Sequence, residues 1–219
     1  MAKLVIFGTG DIGRLAHFYF TRDSEHEVVA FAVDRAYRKD NTFLELPVCD
    51  FEDVTDRYPP AMYKMFIAIS YAKMNKVRAD KYYRALDLGY ELASYVSKRC
   101  TLLTEYPIGQ NCFILEDNTI QPFVRIGNDV VLWSGNHIGH DSVIDDHCFI
   151  SSHVVISGHV HVQSHCFVGV NATIRNSITI ARETLIGAGA VIMKDTKEKG
   201  VYIPKRAELF GRSSDELEL

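Results

Sequence analysis

The chain has 219 residues, a net charge of −4 and 47% hydrophobic residues, enough for two small domains or one large domain with a substantial core. The acidic balance argues against nucleic-acid binding, which usually requires a basic surface. No apolar run reaches the roughly 18 residues of a membrane-spanning helix, and the N-terminal segment lacks the long apolar stretch of a signal peptide. The sequence therefore predicts a cytoplasmic protein without a membrane span.

The first recognisable motif is KLVIFGTGDIG at residues 3–13. A short apolar strand, a glycine-rich turn and a helix form the unit that binds nucleotide phosphates at a helix N-terminus. Here Gly8 would form the tight turn, Gly10 would let a ligand approach the backbone, and Gly13 would let the helix pack closely. Nucleotide binding is favoured over the alternative that the glycines only shape a turn.

Strand and helix patterns alternate as far as residue 96. EVVAFAVD predicts a strand that ends in Asp34, 21 residues after Gly13, which is close to the spacing of a ribose-binding acid. The other predicted elements are a helix at about 12–21, a strand around Val48, a helix from about Phe51, a strand at 63–70, a helix near 74–88 and a strand at 90–96. This alternation predicts a parallel sheet covered by helices. Because it stops near residue 96, a complete NAD-linked enzyme is a distant alternative.

From Ile108 onward the sequence repeats every six residues. The fifteen positions reached in steps of six are all aliphatic, namely Ile108, Ile114, Ile120, Ile126, Leu132, Ile138, Ile144, Ile150, Ile156, Val162, Val168, Ile174, Ile180, Ile186 and Ile192. If about a quarter of positions were aliphatic by chance, such a run would have odds on the order of one in a billion. The position four residues after each anchor is compact. It includes Cys112, Cys148 and Cys166, which are predicted to be core fillers rather than reactive thiols.

A six-residue repeat with one inward aliphatic residue is typical of a β-helix. Each hexad gives one short strand and a corner, and three hexads close a triangular coil, so residues eighteen apart stack. Glycines that follow several anchors are expected to form tight corners, at Gly109, Gly127, Gly139, Gly169 and Gly187. The open ends of the β-helix need caps. The predicted organisation is therefore a nucleotide-binding domain at 1–96, a β-helix at 97–197 and a capping tail at 198–219.

With these motifs the chain resembles the left-handed β-helix (hexapeptide-repeat) sugar acetyltransferases that carry an N-terminal Rossmann-like domain. They include bacillosamine and perosamine N-acetyltransferases and sialic acid O-acetyltransferases. The resemblance rests on IFGTGDIG, FAVD, FIAIS, GHDSVI, FVGVNATI, LIGAGAVIMKD and EKGVY, and it covers nearly the whole chain. It implies an α/β Rossmann-like domain followed by a left-handed parallel β-helix, assembled as a homotrimer.

The resemblance also implies a reaction. Acetyl-CoA would bind as co-substrate between neighbouring β-helices, and a nucleotide-linked amino sugar of the 4-amino-4,6-dideoxy type would bind to the N-terminal domain. The product would serve bacterial surface glycan synthesis. The sugar nucleotide would contact Gly10, Asp11 and Ile12 in the glycine-rich turn and then Asp34 and Arg35. Gly8, in the same turn, is a further candidate substrate contact.

The CoA contacts implied by the family fall on Phe149, Val170 and Ala188, and Gly187, directly before Ala188, is a further candidate CoA contact. Phe149 departs from the bacillosamine enzyme, which has a histidine in this position. The common GxPAK-type tail is replaced by YIPKRAE, in which Lys205 is a candidate cation for the CoA phosphates.

Other candidate contacts come from the residues themselves. The N–H group of Gly158 is a candidate donor to the thioester oxygen. Arg38 and Lys39, together with Arg35, are candidate cations for the sugar nucleotide.

Seven of the nine histidines lie between residues 137 and 165. Four of them recur at the third position after an anchor and are predicted to be exposed polar residues near corners, namely His147, His153, His159 and His165. His140 occupies a different position, and the family places its general base there, in GHDS. Histidine exchanges protons readily near neutral pH. Asp141 could stabilise the imidazolium, provided that a corner turns both side chains to the same side.

Alternatives to this catalytic pair remain open. The same site could acetylate a sugar hydroxyl, or the chain could be a non-catalytic nucleotide-sugar-binding module whose β-helix only trimerises. A catalytic metal is not predicted, because the zinc-binding histidines of β-helix carbonic anhydrases include a pair five residues apart. No two histidines between 137 and 165 have that spacing. A structural ion in the groove between neighbouring β-helices stays open as an alternative.

Overall fold

The computed structural model describes residues 2–209 and 211–216. Its N-terminal part contains, in chain order, β1 (Ala2–Phe7), α1 (Asp11–Asp23), β2 (His26–Val33), a 3₁₀-helix (Arg35–Tyr37), β3 (Thr42–Phe43), β4 (Leu46–Asp50), a 3₁₀-helix (Phe51–Asp53), α2 (Val54–Arg57), β5 (Tyr63–Ile67) and α3 (Lys76–Asp87). The sheet order is β3-β4-β2-β1-β5. Strands β1, β2, β4 and β5 are parallel, as the alternation predicts, and β3 adds an antiparallel edge that the sequence did not indicate.

In the glycine-rich turn, two of the three glycines are fixed by packing. Gly8 has a φ of +115°, and a Cβ atom there would lie 2.7 Å from the carbonyl oxygen of Ala68. A Cβ atom on Gly13 would lie 2.1 Å from the carbonyl oxygen of Gly8. At Gly10, by contrast, a Cβ atom would meet nothing within 4 Å. The backbone at Gly10 is therefore open to a ligand.

The prediction that residues 90–96 form a strand of this sheet is wrong. Leu92 forms only an isolated bridge with Met65. The regular strand starts at Tyr95, which pairs with Phe113 in the first coil of the second part of the chain. The segment forms hydrogen bonds with both parts of the chain. The Ala93 N–H donates to the Met65 carbonyl in the N-terminal sheet, and the Tyr95 N–H donates to a carbonyl of the β-helix.

The second part is a triangular parallel β-helix built of two-residue strands. Its first face contains β6 (Tyr95–Val96), β8 (Phe113–Ile114), β11 (Val131–Leu132), β14 (Phe149–Ile150), β17 (Phe167–Val168), β20 (Leu185–Ile186) and β22 (Val201–Tyr202). The second face contains β7 (Thr101–Leu102), β9 (Thr119–Ile120), β12 (His137–Ile138), β15 (Val155–Ile156), β18 (Thr173–Ile174) and β21 (Val191–Ile192). The third face contains β10 (Arg125–Ile126), β13 (Val143–Ile144), β16 (His161–Val162) and β19 (Thr179–Ile180). The repeat length and the parallel pairing fit a left-handed β-helix.

Three edges join these faces, and each recurs every eighteen residues along the chain. The first edge leads from the first face to the second and includes residues 151–154. The second edge leads from the second face to the third and includes residues 139–142. The third edge leads from the third face back to the first and includes residues 145–148.

Both ends of the β-helix carry additional chain. In the tail, β22 adds to β20 and continues the first face. A last 3₁₀-helix covers Ser214–Glu216. Of the predicted capping tail at 198–219, residues 210 and 217–219 lie outside the described residues. Within the described chain, no helix combines the length and the apolar character needed to cross a bilayer.

The predicted six-residue register is confirmed. All anchors from Ile114 to Ile192 are buried, and Ile108 near the open end is half-buried. The positions four residues after the anchors are buried as well, including the three stacked cysteines. Burial raises the pKa of the Cys112 thiol to about 12, so this side chain stays protonated and behaves as a core filler.

The corners turn at the third position after each anchor from Ile108 to Ile186. All fourteen residues at this position, from Asn111 to Gly189, have φ between +55° and +79°. The expectation that the glycines after the anchors form the corners is wrong, because Gly139 and its equivalents do not adopt positive φ. Gly139 is required for another reason, since a Cβ atom there would lie 2.4 Å from the backbone nitrogen of Gly158 in the next coil.

The four recurring histidines share this corner conformation but not one environment. His153 and His159 are exposed, as predicted, whereas His147 is only 1% exposed. The prediction of an exposed residue is therefore wrong for His147, because α3 covers the third edge there. His165 stacks 4.8 Å from the His147 ring, and burial followed by the nearby His147 lowers the pKa of His165.

A buried ion pair joins α3 to the third edge. Arg78 Nε lies 3.0 Å from Asp129 Oδ1, and neither side chain is more than 1% exposed. Asp129 also accepts a hydrogen bond from Asn111 Nδ2 at 2.7 Å and contacts His147 Nδ1 at 2.8 Å. Removing one partner of such a pair leaves an uncompensated buried charge. This network therefore fixes the N-terminal part of the chain on the β-helix.

We expect Asp129→Asn to lower the free energy of unfolding by about 3 kcal/mol, because Arg78 loses its buried counter-ion. Asparagine retains the size of the side chain and tolerates positive φ. Asp117→Asn is the matched control, since Asp117 has the same corner conformation but pairs with Arg99 at an exposed site, where the loss should stay within about 1 kcal/mol. Urea unfolding at one protein concentration measures both, and equal losses would contradict the assignment.

Candidate functional site

The predicted catalytic pair lies on the second edge. Asp141 has a φ of +57°, so a corner separates it from its neighbour and both side chains reach the same side. His140 Nδ1 lies 2.8 Å from Asp141 Oδ2. An ionised carboxylate only accepts hydrogen bonds, so Nδ1 carries the proton in the neutral ring. The other ring nitrogen, Nε2, is then free to accept a proton.

Neighbouring coils position the His140 ring. The backbone N–H of His140 donates to Gln121 Oε1 at 2.8 Å. In the following coil, a Cβ atom on Gly158 would lie 2.7 Å from His140 Nε2. The glycine therefore leaves space beside the nitrogen that would accept a proton. The His140 side chain is 52% exposed, so a substrate can reach it from solvent.

His159 completes this cluster, and the sequence did not single it out. Its ring centroid lies 5.0 Å from that of His140, with the rings edge to face. Its Nε2 lies 3.9 Å from Asp141 Oδ2. His159 follows Asp141 by eighteen residues, and residues eighteen apart stack in a β-helix of six-residue repeats. The repeat could therefore have predicted that the two side chains lie close together. No comparable signal marks Gln121.

A separate cavity of about 390 Å³ lies where β1 and β2 end, with walls formed by Thr9, Gly10, Val33, Tyr37, Arg38, Lys39, Asp40, Thr42, Phe43 and Val48. Open α/β sheets bind ligands at the carboxyl ends of their strands. An adjoining depression of about 230 Å³ also contains Asp11 and Arg14. The structure thus brings Gly10, Asp11, Arg38 and Lys39 together around one concave surface.

The remaining predicted sugar-nucleotide residues have other contacts. Asp34 Oδ1 lies 2.7 Å from Lys81 Nζ. Arg35 pairs through its guanidinium with Asp50 and Asp53. Ile12 packs partly buried against the hydrophobic core, and Gly8 is fixed within the turn. Neither Asp34 nor Arg35 is among the walls of the larger cavity.

Two predicted CoA residues, Phe149 and Val170, line a cavity of about 200 Å³ at the first edge, together with Tyr71, Trp133, Ser151 and Ser152. Tyr71 follows β5, and its ring lies 5.1 Å from the Phe149 ring. The cavity therefore lies between the N-terminal domain and the β-helix. Tyr71 and Trp133 were not found from the sequence.

The other predicted CoA residues are divided between two edges. Ala188 lies eighteen residues after Val170, on the first edge, and the Gly187 N–H donates to the Tyr202 carbonyl at 2.7 Å. Lys205 is exposed in the tail. Gly158, in contrast, lies beside His140 on the second edge. Within one chain, the predicted base and most predicted CoA contacts therefore occupy different edges.

Comparison with protein families identifies the repeat. Residues 123–158 match the model described as "Bacterial transferase hexapeptide (six repeats)". This segment is made of bacterial transferase hexapeptide repeats. It contains His140, Asp141 and Gly158, whereas Gln121 and His159 lie just outside it.

Among curated proteins, a 90-residue stretch is 29% identical to the acyl-[acyl-carrier-protein]–UDP-N-acetylglucosamine O-acyltransferase of Pseudomonas paraeruginosa. The match covers 41% of this chain and 32% of that relative. The chain thus spans about a third of the length of the curated relatives that it matches.

Solved structures match nearly the whole chain. The acetyltransferase domain of PglB from Neisseria gonorrhoeae has a TM-score of 0.82 at 20% identity, over 93% of this chain and 97% of that one. PerB from Caulobacter crescentus, in complex with CoA and GDP-perosamine, has a TM-score of 0.82 at 22% identity, over 96% and 98%. WeeI from Acinetobacter baumannii has a TM-score of 0.77 at 20% identity, over 92% and 96%. At these identities the similarity establishes the fold, and it confirms the resemblance recognised from the sequence.

The His140–Asp141 contact predicts a specific tautomer that nitrogen NMR can measure. We expect the proton of neutral His140 on Nδ1, whereas His161, whose Nε2 lies 2.9 Å from Asp145, should carry it on Nε2. Asp141→Gly keeps positive φ accessible and removes the acceptor, so only His140 should become a mixture of tautomers. Asp117→Gly, at an equivalent corner away from the cluster, should change neither ring. An Nε2-protonated His140 in the wild-type protein would contradict the proposed proton acceptor.

Proposed function

We propose that this protein is an acetyl-CoA-dependent acyltransferase that acetylates the amine of a nucleotide-linked amino sugar. The observation that carries the proposal is the His140 ring, whose Nδ1 faces Asp141 at 2.8 Å while its Nε2 lies beside Gly158 on an exposed edge of a hexapeptide-repeat β-helix. This arrangement provides an accessible proton acceptor with fixed orientation.

Proteins of the same fold support the choice of substrates. PerB was solved with CoA and GDP-perosamine, and the PglB domain was solved with acetyl coenzyme A. A perosamine N-acetyltransferase variant in which a histidine is replaced by asparagine was also solved with CoA and GDP-perosamine. The acceptor that we propose is a 4-amino-4,6-dideoxy sugar, and its product would enter bacterial surface glycan synthesis.

The proposed chemistry is direct transfer without a covalent enzyme intermediate. The sugar amine attacks the thioester carbonyl carbon, and His140 Nε2 takes the proton as the new C–N bond forms. Asp141 stabilises the resulting imidazolium through Nδ1. The C–S bond then breaks, and the proton held on Nε2 passes to the departing CoA thiolate. Gly158 is the proposed backbone donor to the developing oxyanion.

The N-terminal domain, which we assign to residues 1–96 as a Rossmann-like unit, supplies the proposed sugar-nucleotide site. Gly10 leaves room for a phosphate next to the N-terminus of α1, where the helix dipole favours an anion. Arg38 and Lys39 add positive charge to the walls of the 390 Å³ cavity. Asp11 borders the adjoining depression. Asp34 supports this region through its ion pair with Lys81, and Arg35 lines an adjoining depression together with Arg38 and Lys39.

The β-helix, assigned to residues 97–197 with a capping tail at 198–219, supplies the proposed CoA site. Val170 and Ala188 share the first edge, whereas His140 lies on the second edge of the same chain. A homotrimer in which the first edge of one copy faces the second edge of the next would bring these residues together around acetyl-CoA. Lys205 would then be available to the CoA phosphates. We propose that this reaction takes place in the cytoplasm, as expected from the sequence.

A panel of nucleotide amino sugars with acetyl-CoA, followed by detection of free thiol, tests the function. We expect His140→Asn to slow turnover by roughly 10²–10⁴-fold, the contribution of a positioned base, while CoA binding persists. His161→Asn is the matched control because it removes another His–Asp pair, on the third face. A wild-type rate in His140→Asn would exclude His140 as the base.

The same panel separates the alternatives. Turnover only of sugars that lack an amine would indicate an O-acetyltransferase, an alternative supported by the O-acyltransferases among the curated relatives. Binding of nucleotide sugars without turnover or CoA binding would indicate a non-catalytic module.

Mixed trimers test the proposed sharing of the site. The variant His140→Asn alters the second edge and leaves the first edge intact. The variant Val170→Trp alters the first edge, at a residue that is 42% exposed, and leaves the second edge intact. In every mixed closed trimer, one of the three interfaces combines two intact edges. Because random assembly from equal amounts leaves about a quarter of the trimers unmixed, co-expressed variants should recover roughly one quarter of the wild-type sites. Each variant alone should remain slow. If the mixture stays as slow as its components, each site lies within one chain.

A further inference from the structure

The second edge holds a set of side chains suited to a metal ion. His140, Asp141 and His159 each offer one ligand atom, and these atoms lie within 4.8 Å of one another. In the described part of the chain, this is the one group of three histidine, cysteine or acidic residues found in such an arrangement. We propose that the cluster binds Zn²⁺ as an inhibitor that competes with proton transfer at His140.

The distances fit a small cation. Asp141 Oδ2 lies 2.8 Å from His140 Nδ1 and 3.9 Å from His159 Nε2. Around tetrahedral Zn²⁺, with ligand distances of about 2.0–2.1 Å, ligand atoms lie roughly 3.3 Å apart. The two observed separations bracket that value and all three ligand atoms lie within 4.8 Å of one another, so rotations of the exposed side chains can bring them to coordination distance.

The backbone holds the ligands in place before an ion arrives. Asp141 and His159 have φ of +57° and +58° at equivalent corners of stacked coils. The His159 N–H donates to the His140 carbonyl at 2.9 Å, which ties the two coils together beside the cluster. The three side chains are 52%, 42% and 58% exposed. An ion can therefore enter from solvent and keep water as its remaining ligand.

The ligand types select the kind of cation. Two imidazoles and one carboxylate suit Zn²⁺ and its neighbours among the first-row divalent ions, whereas Mg²⁺ and Ca²⁺ prefer oxygen ligands. Only three protein ligands are present, which is the number that leaves an open coordination position. The chemistry therefore favours reversible Zn²⁺ binding over a closed structural site.

Binding at either nitrogen of His140 would stop it from accepting a proton. If the ion binds Nδ1, the neutral ring must carry its proton on Nε2, the nitrogen that faces Gly158. If the ion binds Nε2, it occupies the acceptor directly. In both cases Asp141 turns from the imidazole to the cation. The ion is thus an antagonist of the base, not a cofactor of the reaction.

Titration calorimetry with Zn²⁺ alone tests the site without reference to activity. We expect one saturable site per chain in the wild-type protein, and at least a tenfold loss of affinity in His159→Asn and in Asp141→Asn. Asparagine tolerates the positive φ at both corners, so both variants should fold. His161→Asn is the control and should bind like the wild type, since the His161–Asp145 pair lies on the third face. Absent binding, or unchanged affinity in His159→Asn, would overturn the proposal.

The inhibitory part rests on the proposed acetyl transfer. Each variant is compared with its own zinc-free rate, and His159→Asn should require at least tenfold more Zn²⁺ for half-inhibition than the wild type or His161→Asn. Equal sensitivity in all three would show that the ion inhibits elsewhere. If no acceptor is turned over, the proposed function fails, while the calorimetric result still decides whether the metal site exists.

Discussion

The whole β-helix depends on a left-handed backbone conformation at every sixth residue. Without it the chain could not turn within the four residues between successive strands, and the anchors would not all point inward. This conformation is costly for most side chains but less so for glycine, asparagine and aspartate, and histidine is also enriched there. The corners of this protein are accordingly rich in polar side chains such as Asn111, Asp129, Asp141 and His159.

The corner positions therefore supply both structure and chemistry. Stacking every eighteen residues places polar side chains in short columns along each edge. On the third edge, the column containing Asp129 and His147 receives Arg78 from α3 and holds the two parts of the protein together. On the second edge, the column containing Asp141 and His159 stays open and surrounds His140. One backbone requirement thus provides the docking surface and the candidate site.

The sequence predicts the repeat well because every coil requires an inward aliphatic residue at the same position, and the anchors pack into one continuous core. Ile138 and Ile156 occupy the same position in successive coils and both must be buried. The repeated pattern therefore supports the prediction more strongly than any single residue does. The glycine-rich turn is also predictable, since the positive φ of Gly8 and the contact of Gly13 with the Gly8 carbonyl arise within the turn itself. Burial of His147 was not predictable, because it results from α3, more than sixty residues earlier in sequence. Tyr71 and Trp133 were missed for the same reason, since only the docking of the two parts brings them together.

Two histidine–aspartate pairs show how burial decides the role of the same chemical groups. His140 Nδ1 and His147 Nδ1 each lie 2.8 Å from an aspartate oxygen. The His147–Asp129 pair is 2% and 0% exposed, with Tyr83 on the other ring nitrogen, so neither a substrate nor an ion can reach it. The His140–Asp141 pair is about half exposed, and a glycine leaves space beside its other nitrogen. Any species that binds an unprotonated imidazole can reach such an exposed base. The exposure that would admit an amine therefore also admits a divalent cation.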